Sequence, residues 1–211
     1  MTIRLHRGDL PDLSAPEMAA YASADAVAVD TETLGLKPHR DRLCVVQISA
    51  GDGNADVVQI AAGQTAAPNL ARLLGDQGKT VIFHFARFDV AVLANALGID
   101  CRPVWCTKIA SKLVRTYTDR HGLKDLLREM LSVEISKHQQ SSDWAAQELS
   151  EAQLAYAASD VLHLHALKEK LEGRLAREGR TEIADACFEF LPTRARLDLA
   201  GWDDTDIFAH S

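Results

Sequence analysis

A chain of 211 residues that is 47% hydrophobic and 25% charged is long enough to bury one core and too mixed for a disordered or collagen-like polymer. Its net charge of -7 argues against a protein that tracks long duplexes by neutralising phosphates, and no segment approaches the roughly 18 apolar residues of a membrane span. The N-terminus has no apolar run ahead of its charges, and Cys44, Cys101, Cys106 and Cys187 match no zinc-ligand spacing, so a cytoplasmic, non-membrane protein with reduced thiols is expected.

In chain order, residues 26–30, 43–49 and 55–60 read as strands joined by turn formers such as Gly51-Asp52-Gly53, which implies an antiparallel start. A short helix is expected over 70–74, a fourth strand over 80–84, a helix over 88–97 stopped by Gly98, and a fifth strand over 101–105. Helices follow over 107–114 and 123–131, and a long one opens at Ser150, where Ser-Glu-Ala-Gln has the capping-box spacing. The fold class expected is α/β, a mixed five-stranded sheet, antiparallel first and then parallel, flanked by helices.

Three places along these elements deliver carboxylates. Asp30 and Glu32 end the first apolar run two residues apart, so in an extended segment both project from one face and call for a cation; taken alone, a solvated strand end is the commoner reading of such a pair. Asp89 follows the strand over 80–84, where a helix N-terminal acid is the ordinary reading. Tyr156, Asp160, Leu164, Leu167, Leu171 and Leu175 form one apolar helical stripe containing an aspartate, a costly placement unless the carboxylate is paired or metal-bound. Residues 102–137 also hold eight basic residues against four acidic ones, a local basic patch suited to a short anionic ligand or to a solvated helix face.

Val29-Asp30-Thr31-Glu32-Thr33-Leu34-Gly35-Leu36, His84 with Phe88-Asp89, and Tyr156-Ala157-Ala158-Ser159-Asp160 together resemble the three exonuclease motifs of the DEDD superfamily, tyrosine branch, to which ribonuclease D belongs. The similarity continues through Cys106-Thr107-Lys108, His121-Gly122-Leu123-Lys124-Asp125-Leu126 and Ser142-Asp143-Trp144, covering nearly the whole chain. Phe85 stands where that family usually has Asn, and Ala145-Ala146 where it has Arg-Pro, departures that resemble a compact branch of the family specialised for very short RNA.

The resemblance implies a ribonuclease H-like fold and a 3′-to-5′ exoribonuclease acting on short oligoribonucleotides, 5′-phosphorylated dinucleotides above all. Four carboxylates, Asp30, Glu32, Asp89 and Asp160, would hold two Mg²⁺ or Mn²⁺ ions per site, oxygen ligands favouring hard cations. Asp30 would bridge the ions and Tyr156 would orient the attacking water. Substrate contacts implied are Thr31, Thr33, Leu34 as a wedge between bases, His84, Phe85 and Lys108, the last with Lys112 and Arg115 as candidates for a 5′ phosphate. An exonuclease domain over 1–190, an extension over 191–211 packing on the domain or on a neighbouring subunit, no helical RNA-binding domain and a homo-oligomer, an octamer, complete the expectation. Trimming of structured RNA and an inactive nucleic-acid-binding module are the other readings.

Overall fold

The computed structural model describes residues 1–136 and 138–210; Lys137, part of the basic count, and Ser211 lie outside them. Its sheet has six strands in the order β1-β4-β3-β2-β5-β6, where β1 is Ile3–Arg7, β2 Ala26–Thr33, β3 Leu43–Ser49, β4 Ala55–Gln59, β5 Thr80–Phe83 and β6 Val104–Cys106. β2, β3 and β4 pair antiparallel, while β1 with β4, β2 with β5 and β5 with β6 pair parallel. The mixed sheet matches the expected class, with one strand more.

That extra strand, β1, carries polar side chains at Arg4, His6 and Arg7, which conceal it in a hydropathy reading. Its polar side chains meet a buried acid. Arg4 donates through Nε and Nη2 to Asp56 at 2.7 and 2.6 Å, His6 Nε2 lies 2.7 Å from the same carboxylate, and the Tyr21 hydroxyl donates to it at 2.7 Å. Burial pushes Asp56 up, but these hydrogen bonds outweigh it and hold the carboxyl at about 2.

Helices α1 (Ala19–Ser23), α2 (Pro68–Leu74), α3 (Ala86–Leu97), α4 (Thr107–Val114) and α5 (Leu123–Leu131) follow in the order expected, α1 being additional. Ser150 caps the next helix with the predicted reciprocal box to Gln153. The stripe through Tyr156 and Leu175 is divided between two helices, however, α6 (Glu151–Val161) and α7 (Leu164–Arg177). Neither Pro nor Gly marks the break in the sequence. α8 (Thr181–Leu197) runs through Pro192 and so through the boundary placed at 190; a proline in mid-helix, which removes one backbone donor, hides the element from a sequence reading.

β3 is buried along its whole length, at the centre of the sheet. α6 packs across β1, β4, β3 and β2, with Ala157 in one buried apolar cluster with Val45 and Val57, while α8 packs on α3 and β6. Cross-strand partners share a face. The pairs Glu32 with Val45 and Asp30 with Gln47 therefore turn the β2 carboxylates toward α6, and the register shift between Glu32 and Thr33 ends the regular ladder just beyond them.

Candidate active site

The expected carboxylates arrive from three elements. Asp30 and Glu32 project from the end of β2, Asp160 comes from the last turns of α6, and Asp89 lies in the first turn of α3. One oxygen each from Asp30, Glu32 and Asp160 lie within 4.8 Å of one another, an all-oxygen donor set that fits a hard divalent cation such as Mg²⁺. Asp89 is outside that trio. It is buried and accepts a 2.7 Å hydrogen bond from Thr31 Oγ1.

Without a cation these charges repel. Burial, followed by the charges of Asp89, Asp160 and Glu32, raises Asp30 well above the carboxylate range. Burial and the charges of Asp160 and Asp89 raise Glu32 to about 9. Asp89 rises to about 7 through burial, opposed by its bond from Thr31. Three acids pushed upward together beside the charge of Asp160 are the electrostatic signature of a site built for positive charge. Tyr156, one helical turn before Asp160 and hydrogen-bonded to it, is also raised, first by burial and then by Asp160, Glu32 and Asp30. Its ring lies 5.9 Å from that of Trp144, a buried residue of the segment between α5 and α6.

The expected substrate contacts divide. Leu34 is 53% exposed just past β2, Phe85 is exposed at the start of α3, and Lys108 Nζ stands 4.2 Å from the centre of the Phe85 ring. His84 is partly buried, with Nδ1 2.8 Å from Thr107 Oγ1; that hydroxyl donates to the Phe83 carbonyl. Thr33 Oγ1 donates to the Gly35 carbonyl and closes the turn after β2. Thr31 is different: its side chain is buried against Asp89, so it holds a carboxylate instead of facing a ligand. Arg115 is likewise withdrawn from the basic stripe, because its guanidinium is buried and bonded to Glu129, Ser111 and the Arg120 carbonyl.

Several supporting residues escaped the sequence reading. Gln47, wholly buried in β3 opposite Asp30, donates Nε2 to Asp30 Oδ2 at 2.8 Å, while its Oε1 has no partner. Only the strand register, absent from the sequence, pairs the two. At the C-terminus, Arg87 grips Asp198 with two hydrogen bonds of 2.6 and 2.8 Å and the Asp203 carbonyl with a third. Lys37, in the loop after β2, reaches Asp203 at 3.0 Å. The turn from Asp198 to Asp203 thus joins the loop beyond Asp30 and Glu32 to the helix that carries Asp89. A surface cavity of about 610 Å³ beside Trp105 and Phe188 includes none of the four acids.

A family model described as 3′-5′ exonuclease matches residues 12–176. Ribonuclease D of Acidiphilium cryptum is 35% identical over 161 residues, which is 76% of this chain and 41% of that protein. The chain therefore spans about two fifths of the length of the curated ribonuclease D relatives it matches. Among solved structures, Brucella melitensis NrnC with bound Mg²⁺ is 67% identical with a TM-score of 0.94, and the same protein bound to pGG is 68% identical with a TM-score of 0.94; each comparison covers 100% of both chains. With this match in family, fold and motif order, the chain belongs to the 3′-5′ exonuclease family, in its ribonuclease D group.

Proposed function

We propose that this protein is a metal-dependent 3′-to-5′ exoribonuclease that cleaves dinucleotides and other short oligoribonucleotides to nucleoside 5′-monophosphates. The observation that carries the reading is the convergence of Asp30, Glu32 and Asp160 within 4.8 Å, with Asp89 and Tyr156 beside them. Full-length similarity to a protein solved with Mg²⁺ and with pGG supports both the cofactor and the length of substrate.

Asp30, Glu32 and Asp160, with Asp89 beside them, would hold the divalent ions. When bound, the ions supply a more acidic water and neutralise charge on the leaving oxygen. Tyr156 would orient an attacking water toward the terminal phosphorus; the new P–O bond forms as the bond to the 3′ oxygen breaks, and a proton from the water ends on that oxygen, leaving a nucleoside 5′-monophosphate and a shortened 3′ hydroxyl end. Leu34, Thr33, His84 and Phe85 line the approach as contacts to base and sugar, and Lys108 supplies a cation for a phosphate.

The proposal includes a homo-oligomer, an octamer, formed around the exonuclease domain of residues 1–190 and the segment 191–211. Exposed Phe190, Trp202, Ile207 and Phe208 supply apolar area for such contacts. A cytoplasmic setting fits the four free cysteines, three of them buried.

The test is digestion of 5′-phosphorylated RNAs, from dinucleotides upward, with Mg²⁺ or Mn²⁺. The dinucleotide is expected to disappear fastest and Asp30→Ala to leave it intact. Equal rates at every length would remove the preference for short substrates and favour trimming of longer RNA. Hydrolysis by Asp30→Ala would remove the proposed site.

A further inference from the structure

Trp144 is buried although it belongs to no helix or strand. It sits in the irregular segment between α5 and α6, yet only 1% of it is exposed. Connecting segments ordinarily run over the surface, so a side chain of this size drawn inward calls for a reason. It joins Cys44 and Val45 of β3, Val57 of β4, Leu149 and Ala157 in a second, smaller apolar cluster. Val45 is the cross-strand partner of Glu32, so this cluster lies on the sheet face that carries the β2 acids. Tyr156 packs against it, its ring centroid 5.9 Å from that of Trp144 and the planes inclined at 39°, a favourable spacing for an aromatic pair. The indole Nε1 is buried without a hydrogen-bond partner, so the ring contact is what Trp144 contributes.

The segment is also fastened to the helix that it touches. Gln153, in the first turn of α6, accepts from the Ser150 backbone and donates Nε2 to the Asp143 carbonyl at 3.0 Å and to Ser142 Oγ at 3.2 Å. Beyond Trp144, Gln59 Nε2 donates to the Ala146 carbonyl at 2.6 Å and Arg7 Nη1 to the Gln147 carbonyl at 3.1 Å. Gln153 lies three residues before Tyr156, on the same side of α6, so the clamp and the ring it serves share one helix face. The hydrogen bond to Asp160 holds the phenol end of Tyr156, and the indole packed on its ring restricts rotation of the remainder. On the basis of the exonuclease reading above, we propose that Trp144 is a positioning residue which, clamped by Gln153, holds the Tyr156 phenol at the angle needed to orient the attacking water.

Steady-state hydrolysis of a 5′-phosphorylated guanine dinucleotide with Mg²⁺ would be measured for wild type, Trp144→Phe, Trp144→Leu, Gln153→Leu and Tyr156→Phe. Trp144→Leu and Gln153→Leu would each be combined with Tyr156→Phe as well. Trp144→Leu is expected to lower kcat about 10-fold, with KM and the calorimetric affinity for Mn²⁺ within about 2-fold of wild type. Trp144→Phe, which keeps a ring at the contact, is expected to recover most of that loss. Gln153→Leu leaves the cluster filled and is expected to lower kcat in the same way, which carries the test if Trp144→Leu does not fold. In the Tyr156→Phe background, with no phenol to position, either substitution is expected to cost less than about 2-fold. The same fractional loss in both backgrounds, a loss confined to KM or to metal affinity, or Trp144→Phe as impaired as Trp144→Leu would each overturn the inference. Wild-type protein inactive on the dinucleotide would instead overturn the exonuclease reading beneath it.

Discussion

Asp30 has two oxygens with separate duties. Oδ2 accepts from Gln47, which fixes the rotation of the carboxylate and leaves Oδ1 for a cation. Replacement of such an outer ligand commonly costs about 10- to 100-fold in metal affinity. Gln47→Leu is therefore expected to weaken Mn²⁺ binding about 10-fold in a calorimetric titration while the fold is retained; unchanged affinity would assign Gln47 to packing alone. Protonation works against the same cation. Glu32 at about 9 and Asp89 at about 7 both lie above the ordinary carboxylate range, so their contribution to the metal-free fold is complete below that range and is lost as pH rises through about 7 and then about 9. The melting temperature of EDTA-treated protein is expected to fall over this interval, and saturating Mg²⁺ is expected to abolish the decline. The acids and Tyr156 were legible in the sequence because strand end, helix start and helix stripe each impose a local spacing. Gln47 and the inward turn of Thr31 were not, since both depend on which residue lies across the sheet or against the neighbouring helix.

Among elements, the least legible are the ones that brace the site. β1 reads as a charged N-terminus because its cations are matched by Asp56, a residue 52 positions from Arg4. α8 reads as interrupted because of Pro192, and the turn beyond it follows neither period, with Gly201 at φ 96° and the residues around it ordered by Arg87 and Arg194. Asp198 is the centre of this brace, 8% exposed at its side chain and bonded to both arginines. Its loss would leave two guanidiniums without their partner at a partly exposed site, for an expected cost of about 2 kcal/mol. Denaturant unfolding of Asp198→Ala measures it, and an unchanged midpoint would show that the turn is not holding the two motif segments.

At the scale of the molecule, the mixed α/β class followed from the alternation of runs, and the direction of the early strands from their short turns. The sixth strand required long-range pairing that no local pattern carries. An acidic chain with a confined basic patch suits a small anionic substrate, since long nucleic acids are held through many phosphate contacts. Subunit association would narrow access further. Light scattering is expected to return a mass several times 23.1 kDa, and a variant with Trp202, Ile207 and Phe208 replaced by serine is expected to return a smaller one. A monomeric wild type would remove the assembly from the proposal.

Four converging acids are expected to support cleavage at the 3′ end with release of a 5′-phosphorylated nucleoside. The most direct test is chromatographic identification of the products from a 5′-phosphorylated dinucleotide, using wild type and Asp160→Asn with Mg²⁺ and wild type with EDTA. Nucleoside 5′-monophosphates from wild type with Mg²⁺, and intact dinucleotide in the other two reactions, are expected. A nucleoside 3′-phosphate, or cleavage that continues in EDTA or in Asp160→Asn, would contradict that expectation.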